Sequence, residues 1–378
     1  MKKTLLLLIG VFLLLSLGGC SSMLKKDYAS ITPYDDDNLE QLPAGTQIVS
    51  DYNSLKTLLS KQISNHSDHE KLRFVSYEGD IDTDLRRASE EVKTLSGMEA
   101  YAVDYISFDL NRIVSYSEAD IYVSYRRTKE QIQEIVPIFS NYLLRNHLHS
   151  LMSGFKEESV IRIASSPSIT ETISTYIDEL FLEMPLTAIS KPKVNMTIYS
   201  GTSRVDIIEL ELSYGMTKDE LIQQSEAIIE QVSVELININ AGFRGETSET
   251  IALEAMRAIS GSIQYDAGDE RAQNWSGHTA YGAFVKKEAS SLGFALAYKA
   301  LCDKLSIENL IISGRSDRRD HYWNIIKLGD NYYHVDVSMA NTLGEELCFL
   351  RTDEQMFDRY DWDDRKYPSC VGEASLLN

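Results

Sequence analysis

The stretch that decides the fold is Asp320-His-Tyr-Trp-Asn-Ile-Ile-Lys-Leu-Gly-Asp-Asn-Tyr-Tyr-His-Val-Asp-Val-Ser338. Two β-rich runs flank Gly329-Asp330, and a two-residue loop that begins with glycine suits a type II′ turn. The segment therefore predicts a hairpin. Pairing Leu328 with Asn331 sets Trp323 opposite Asp336, with His321 a diagonal neighbour on the same face. Diagonal partners lie about 7–8 Å apart at the backbone, within reach of an imidazole and a carboxylate. This register lets Asp336 hold the His321 ring, as the second half of a nucleophile–base–orienter triad requires. A slip of one residue would send the two to opposite faces. His334 shares the predicted face and is the rival base.

Some thirty residues upstream, Glu288-Ala-Ser-Ser-Leu-Gly-Phe-Ala-Leu-Ala-Tyr-Lys-Ala-Leu-Cys-Asp-Lys-Leu305 reads as an apolar helix opened by two serines. Serine is a favoured N-cap, so Ser290 or Ser291 can bond the orphan N–H groups of this helix. Ser248 to Tyr265 has apolar residues at helical spacing. The loop that follows carries Trp275, His278 and Tyr281-Gly282, and Leu310-Ile-Ile-Ser-Gly314 reads as a short buried strand.

Taken in order, these elements resemble a bacterial transglutaminase-like domain of the papain-like superfamily. The resemblance covers residues 250 to 370. It rests on Thr279-Ala-Tyr-Gly-Ala-Phe-Val285, Gly293-Phe-Ala295, His321-Tyr-Trp-Asn324, Tyr333-His-Val-Asp336 and Phe349-Leu-Arg-Thr-Asp-Glu354. It implies a Cys-His-Asp triad in which His321 is the base and Asp336 its orienter. Ser291 stands where the family has its nucleophilic cysteine, two residues before Gly293. A thiol of ordinary pKa about 8.5 is brought into the working range by a helix N-terminus and a cationic histidine, whereas a hydroxyl must lose its proton as it attacks. Cys302 lies eleven residues along the same helix, roughly 16 Å away at 1.5 Å per residue, too far to substitute; it reads as a core thiol.

The first twenty residues, MKKTLLLLIGVFLLLSLGGC, have a basic start, an apolar centre and small residues before Cys20. That is the plan of an export signal, too short for a spanning helix. Its end resembles a bacterial lipobox, which implies a diacyl or triacyl Cys20 as the new N-terminus. The expected location is the extracytoplasmic face of the cell membrane, with the membrane as partner through that lipid. The chain holds 57 acidic and 37 basic side chains, a formal charge of −20, and losing Lys2 and Lys3 with the leader deepens it by two. Such a surface repels nucleic acid and anionic lipid alike. Cys302, Cys348 and Cys370 are an odd, widely spaced set without a metal motif, and the spacing leaves one bridge, Cys348 to Cys370, open. No P-loop, dinucleotide turn or His/Cys cluster signals a cofactor or metal.

The middle of the chain repeats. Tyr122-Val-Ser-Tyr-Arg-Arg-Thr-Lys-Glu-Gln-Ile132 and Glu211-Leu-Ser-Tyr-Gly-Met-Thr-Lys-Asp-Glu-Leu221 share Ser-Tyr and Thr-Lys-acid in one register. Each follows an alternating strand and precedes a helix that Thr128 or Thr217 would cap, with Gln131 or Glu220 three residues on. Strands at 71–77 and 159–164, followed by helices at 83–94 and 169–182, repeat upstream. The expected fold is α+β: two repeated β-α-β-β-α units, then the transglutaminase-like domain. The expected layout is a leader over 1–19, lipidated Cys20 and tether over 20–69, units over 70–155 and 156–245, and the last domain over 246–378. Function is expected as binding of a peptide or cell-wall ligand by a domain that has lost its thiol, with Trp275, Tyr281, Tyr322 and Trp323 lining the groove. The alternative is a serine-dependent hydrolase or acyltransferase that uses Ser291, His321 and Asp336.

Overall fold

The computed structural model describes residues 46–114, 116–242, 246–266 and 276–372. The leader, Cys20 and Trp275 lie outside the described residues. Along the first part of the chain run β1 (Thr46–Val49), α1 (Tyr52–Ser64), β2 (His69–Phe74), α2 (Ile81–Lys93), α3 (Gly97–Ala102), β3 (Val103–Arg112), β4 (Ser117–Tyr125) and α4 (Lys129–Gln133). The four strands form one sheet in the order β1-β2-β4-β3, with β1 parallel to β2 and the rest antiparallel. The next part repeats this plan with β5 (Val136–Ile138), α5 (Asn141–Ser153), β6 (Glu158–Ala164), α6 (Ile169–Glu183), β7 (Lys193–Tyr199) and β8 (Val205–Ser213). Its order is β5-β6-β8-β7, with the same single parallel pair.

The fold is α+β, and the duplication is real but longer than expected. Each unit holds the expected β-α-β-β-α order and adds a strand and a helix ahead of it, with the short α3 as an extra turn in the first. Residues 46–64, expected in the tether, supply the first strand and helix of the first sheet. Residues 136–153, expected in the first unit, open the second. In α1, Leu55, Leu59 and Ile63 recur at four-residue spacing and pack with Leu85, Ala88 and Val92 of α2 onto Leu72, Phe74, Ala119 and Ile121. Both expected capping pairs form. Thr128 and Gln131 bond each other's backbone N–H, and so do Thr217 and Glu220 ahead of α7 (Lys218–Gly242).

The two units meet where α3 lies against β7 and β8. Arg127 donates to the Glu209 carboxylate at 2.6 Å and sits over the Tyr101 ring, while Tyr199 donates to the other Glu209 oxygen at 2.8 Å.

The C-terminal part begins with α8 (Ser248–Ser260). A short parallel pair follows, β9 (Gln264–Tyr265) with β10 (Glu288–Ala289), and leads into α9 (Ser291–Lys304). Then β11 (Asn309–Ser316), β12 (Arg319–Leu328), β13 (Asn331–Val335) and β14 (Tyr360–Asp361) make an antiparallel sheet in the order β13-β12-β11-β14. The hairpin register is the expected one, Leu328 with Asn331 and Asn324 with Val335. Gly329 has φ +59 and Asp330 stays out of the positive-φ region, as a type II′ turn demands. Even-numbered residues of β12 turn toward α9, where the Asn324 amide donates to the Ala295 carbonyl at 3.1 Å. Odd-numbered Trp323 and Ile325 pack on the other face with Ile312, Met356 and Tyr360.

The second unit and the C-terminal part, expected as separate domains, share one apolar cluster. Helix α7 joins them through Leu221, Ile228 and Val232, each at most 1% exposed. Ile228→Ala should therefore cost about 2–5 kcal/mol, as a fully buried isoleucine truncation does. In a denaturant melt it should shift one transition seen alike by far-UV circular dichroism of the whole chain and by the fluorescence of the three tryptophans, which all lie in the C-terminal part; two separate transitions, only one of them shifted, would contradict the shared core.

Candidate functional site

Asp336 follows β13 directly, and its carboxylate is 1% exposed. Five donors converge on it. His321 Nε2 at 2.7 Å and Tyr360 Oη at 2.7 Å reach Oδ2, while Ser338 Oγ at 2.7 Å, Ser338 N at 3.1 Å and Met339 N at 3.2 Å reach Oδ1. Burial alone pushes a carboxyl up, but here the His321 charge and the bonds from His321, Ser338 and Tyr360 outweigh it. Asp336 is held below the usual carboxylate range. Burial, then Asp336, drives the Tyr360 phenol far upward, so it keeps its proton and donates. With Nε2 given to Asp336, Nδ1 of His321 makes no hydrogen bond among the described residues.

The rival His334 is committed elsewhere. Trp323 Nε1 donates to its Nδ1 at 3.0 Å; because an indole N–H only donates, Nδ1 accepts and the proton sits on Nε2, facing Asp353 Oδ1 at 2.8 Å. Burial lowers the His334 pKa against the pull of Asp353. His334 Nε2, Asp353 and Cys370 Sγ lie within 4.8 Å of one another and are the described group with a metal-like donor set. A metal on Nε2 would call for a proton on Nδ1, against the Trp323 N–H. The group fits a buried hydrogen-bonded chain better than an ion.

Ser291 occupies the first turn of α9. Its Oγ accepts from the backbone N–H of Tyr322 at 3.3 Å, one residue from His321, and makes no hydrogen bond with the imidazole. Neither serine caps the helix by its side chain. Ser290 instead has its Oγ 2.8 Å from His278 Nδ1 and 3.3 Å from the Gly277 carbonyl. Gly293 is required by this packing, since a Cβ there would sit 2.2 Å from the Gly277 carbonyl oxygen. Ser290, Ser291, Leu292, Tyr322, His278 and Thr279 line a cleft of about 260 Å³, whose far wall is Phe181, Ile189 and Lys191 of the second unit.

Of the residues expected to contact a ligand, Tyr322 lines this cleft. Trp323 does not: it is fully buried, with its N–H spent on His334, because the pleat sends it to the face opposite Tyr322. Tyr281 is half-buried against the core and is not among the lining residues, and Trp275 lies outside the described residues. Cys348 and Cys370 are free thiols, not a bridge. Burial pushes Cys302, Cys348 and Cys370 alike up to about 12, and none lines the cleft. The Ser290–His278 contact was not foreseeable; the Ser-Ser pair signals a cap, and nothing in the spacing joins it to a histidine twelve residues away.

No protein-family model and no curated protein matches the sequence. Among solved structures the chain is similar to a TGase, with 10% identity, TM-score 0.27, and coverage of 78% of this chain and 82% of that one. It is also similar to a candidate cysteine protease from Cytophaga hutchinsonii (12% identity, TM-score 0.25, 47% and 70% covered) and to a candidate protease from Parabacteroides distasonis (6%, TM-score 0.24, 61% and 56%). Likeness at this level does not establish a shared activity.

The buried couple makes a prediction with a definite sign. Asp336→Asn places an NH₂ group among donors and should destabilise the protein by about 3 kcal/mol, as breaking a buried charged pair does. A carboxyl held low in the folded state stabilises above its unfolded pKa, about 3.9, and loses that contribution as pH falls through the folded value. The gap between wild type and variant in thermal melts should be full at pH 7 and at pH 5 and should narrow only below pH 4; a gap that closes between pH 7 and 5 would refute the assignment.

Proposed function

We propose that residues 246–378 are a transglutaminase-like unit without a thiol nucleophile, whose cleft binds an extended peptide or a peptide-bearing wall polymer. The observation that carries this is the state of Ser291. Its hydroxyl is held by the Tyr322 N–H and is not in line with a base, so it is not activated for attack. Among the described residues no cysteine lines the cleft to take its place. The acid–imidazole couple is buried on the other face of β12, and the groove itself has apolar walls (Phe181, Ile189), an aromatic side chain (Tyr322) and polar groups (Ser290, Ser291, Thr279). Such a mixture suits a ligand with alternating apolar and amide character.

The acidic chain is proposed to be held at the extracytoplasmic face of the membrane by lipid on Cys20, with residues 21–45 as tether. The serine-dependent alternative keeps His321 as base and needs the Ser291 hydroxyl to leave Tyr322 N and turn to the imidazole.

Titration of wall-derived peptides into the protein tests the binding reading. Tyr322→Ala should weaken binding about tenfold, the loss of roughly 1.4 kcal/mol of contact. Equal, negligible binding to both proteins would remove the idea. Cys20→Ala should release the protein from membranes, read as its appearance in the soluble fraction; retention on the membrane would refute the lipid anchor.

A further inference from the structure

The geometry points to a hydroxyl–imidazole pair, Ser290 with His278, as an acyl-accepting site for short-chain esters. It rests on the cleft of the preceding section being open to ligands, but not on what that ligand is. Ser290 is 5% exposed, lies at the junction of β10 and α9, and lines the cleft together with His278. Its Oγ is 2.8 Å from His278 Nδ1. The same hydroxyl is 3.3 Å from the Gly277 carbonyl. One hydroxyl carries one proton, and the Gly277 carbonyl can only accept; in the tautomer with Nδ1 unprotonated the hydroxyl turns from that carbonyl to the imidazole 2.8 Å away, and that is the arrangement the reaction uses. The Ser290 N–H donates to the Gly277 carbonyl at 2.9 Å, so backbone bonding fixes the serine beside the segment that carries the histidine.

This is the contact that Ser291 lacks. A serine becomes a nucleophile when a base within hydrogen-bond reach takes its proton as the new bond forms. Serine in the N-cap position usually turns its side chain onto the helix, and Ser290 does not, so the N–H groups of the first turn of α9 are left without a side-chain cap. Those N–H groups are the donors available to a carbonyl oxygen as it gains negative charge. The walls formed by Phe181, Ile189 and Leu292 suit an alkyl chain. A volume of about 260 Å³ falls below the 300–1,000 Å³ of sites for drug-sized ligands, which limits the acyl group to a short one.

The reaction balances without a further reagent. Ser290 Oγ attacks the ester carbonyl carbon, forming the Oγ–C bond while its proton passes to His278 Nδ1. The tetrahedral species collapses, the C–O bond to the alcohol breaks, and the departing oxygen takes the proton from Nδ1. The acyl group is left on Ser290. Water then attacks the same carbon, gives its proton to Nδ1, and releases the carboxylic acid as that proton returns to Oγ.

The test is treatment of the full-length protein with a fluorophosphonate probe, followed by fragmentation mass spectrometry of the peptide that holds both serines. The expected adduct is on Ser290, and His278→Gln should slow its formation at least about 100-fold, the contribution of a positioned base. The adduct position is read on the unaltered chain, so the result does not depend on a variant folding. An adduct on Ser291, or no adduct on a protein with a wild-type melting profile, overturns the inference. Peptide titration is a separate readout, so loss of the Ser290 adduct with binding retained refutes the pair alone, and loss of both refutes the open cleft.

Discussion

A carboxylate taken out of water is tolerated only if its oxygens are satisfied, and Asp336 meets that condition with donors from three separate places. His321 comes from the start of β12, Ser338 and Met339 from the turn after β13, and Tyr360 from the last strand. These partners tie together things that look independent along the chain. The hairpin register brings His321 to Asp336, and the pairing of β14 with β11 brings Tyr360 to the same oxygen. Removing any one donor leaves part of a buried charge uncompensated, which is the costly state for a low-dielectric interior. The couple is thus a structural clamp before it is anything chemical.

Around that clamp the two faces of β12 have different tasks. Trp323 and Ile325 pack in one cluster with Tyr360, and Trp323 donates to His334, which in turn faces Asp353. Tyr322 turns the other way, lines the cleft and offers its backbone N–H to Ser291. The cleft needs more than the C-terminal part, because Phe181, Ile189 and Lys191 belong to the second repeated unit. That unit shares its core with α8 and α9, so it serves as a wall of the site and not as a spacer.

Much of this was legible from the residues. The Gly329-Asp330 turn and the alternation on either side determine which face His321 and Asp336 occupy, and the contact follows from that register alone. Thr128 and Thr217, each with Gln or Glu three residues on, marked helix starts that form as expected. Other features were not legible. Strands β1 and β5 have four and three residues, too few to show a period of two, and β5 contains Pro137. They are recognisable only once β2 and β6 supply a parallel partner. Trp323 was expected in the groove because aromatic residues favour binding surfaces, but the pleat places it inside. The cysteines are spaced so that a bridge was open, and burial in separate places keeps them thiols.

The proposal stands or falls on whether the His321–Asp336 couple can serve position 291, where the chain carries a serine. Its most direct test is the thiol pKa of Ser291→Cys, read by iodoacetamide alkylation against pH, beside the double variant Ser291→Cys/His321→Gln. The account predicts a thiol titrating well below the ordinary value of about 8.5 in the single variant, returning toward that value when His321 is removed. A thiol that titrates alike in both proteins would show that His321 does not serve position 291.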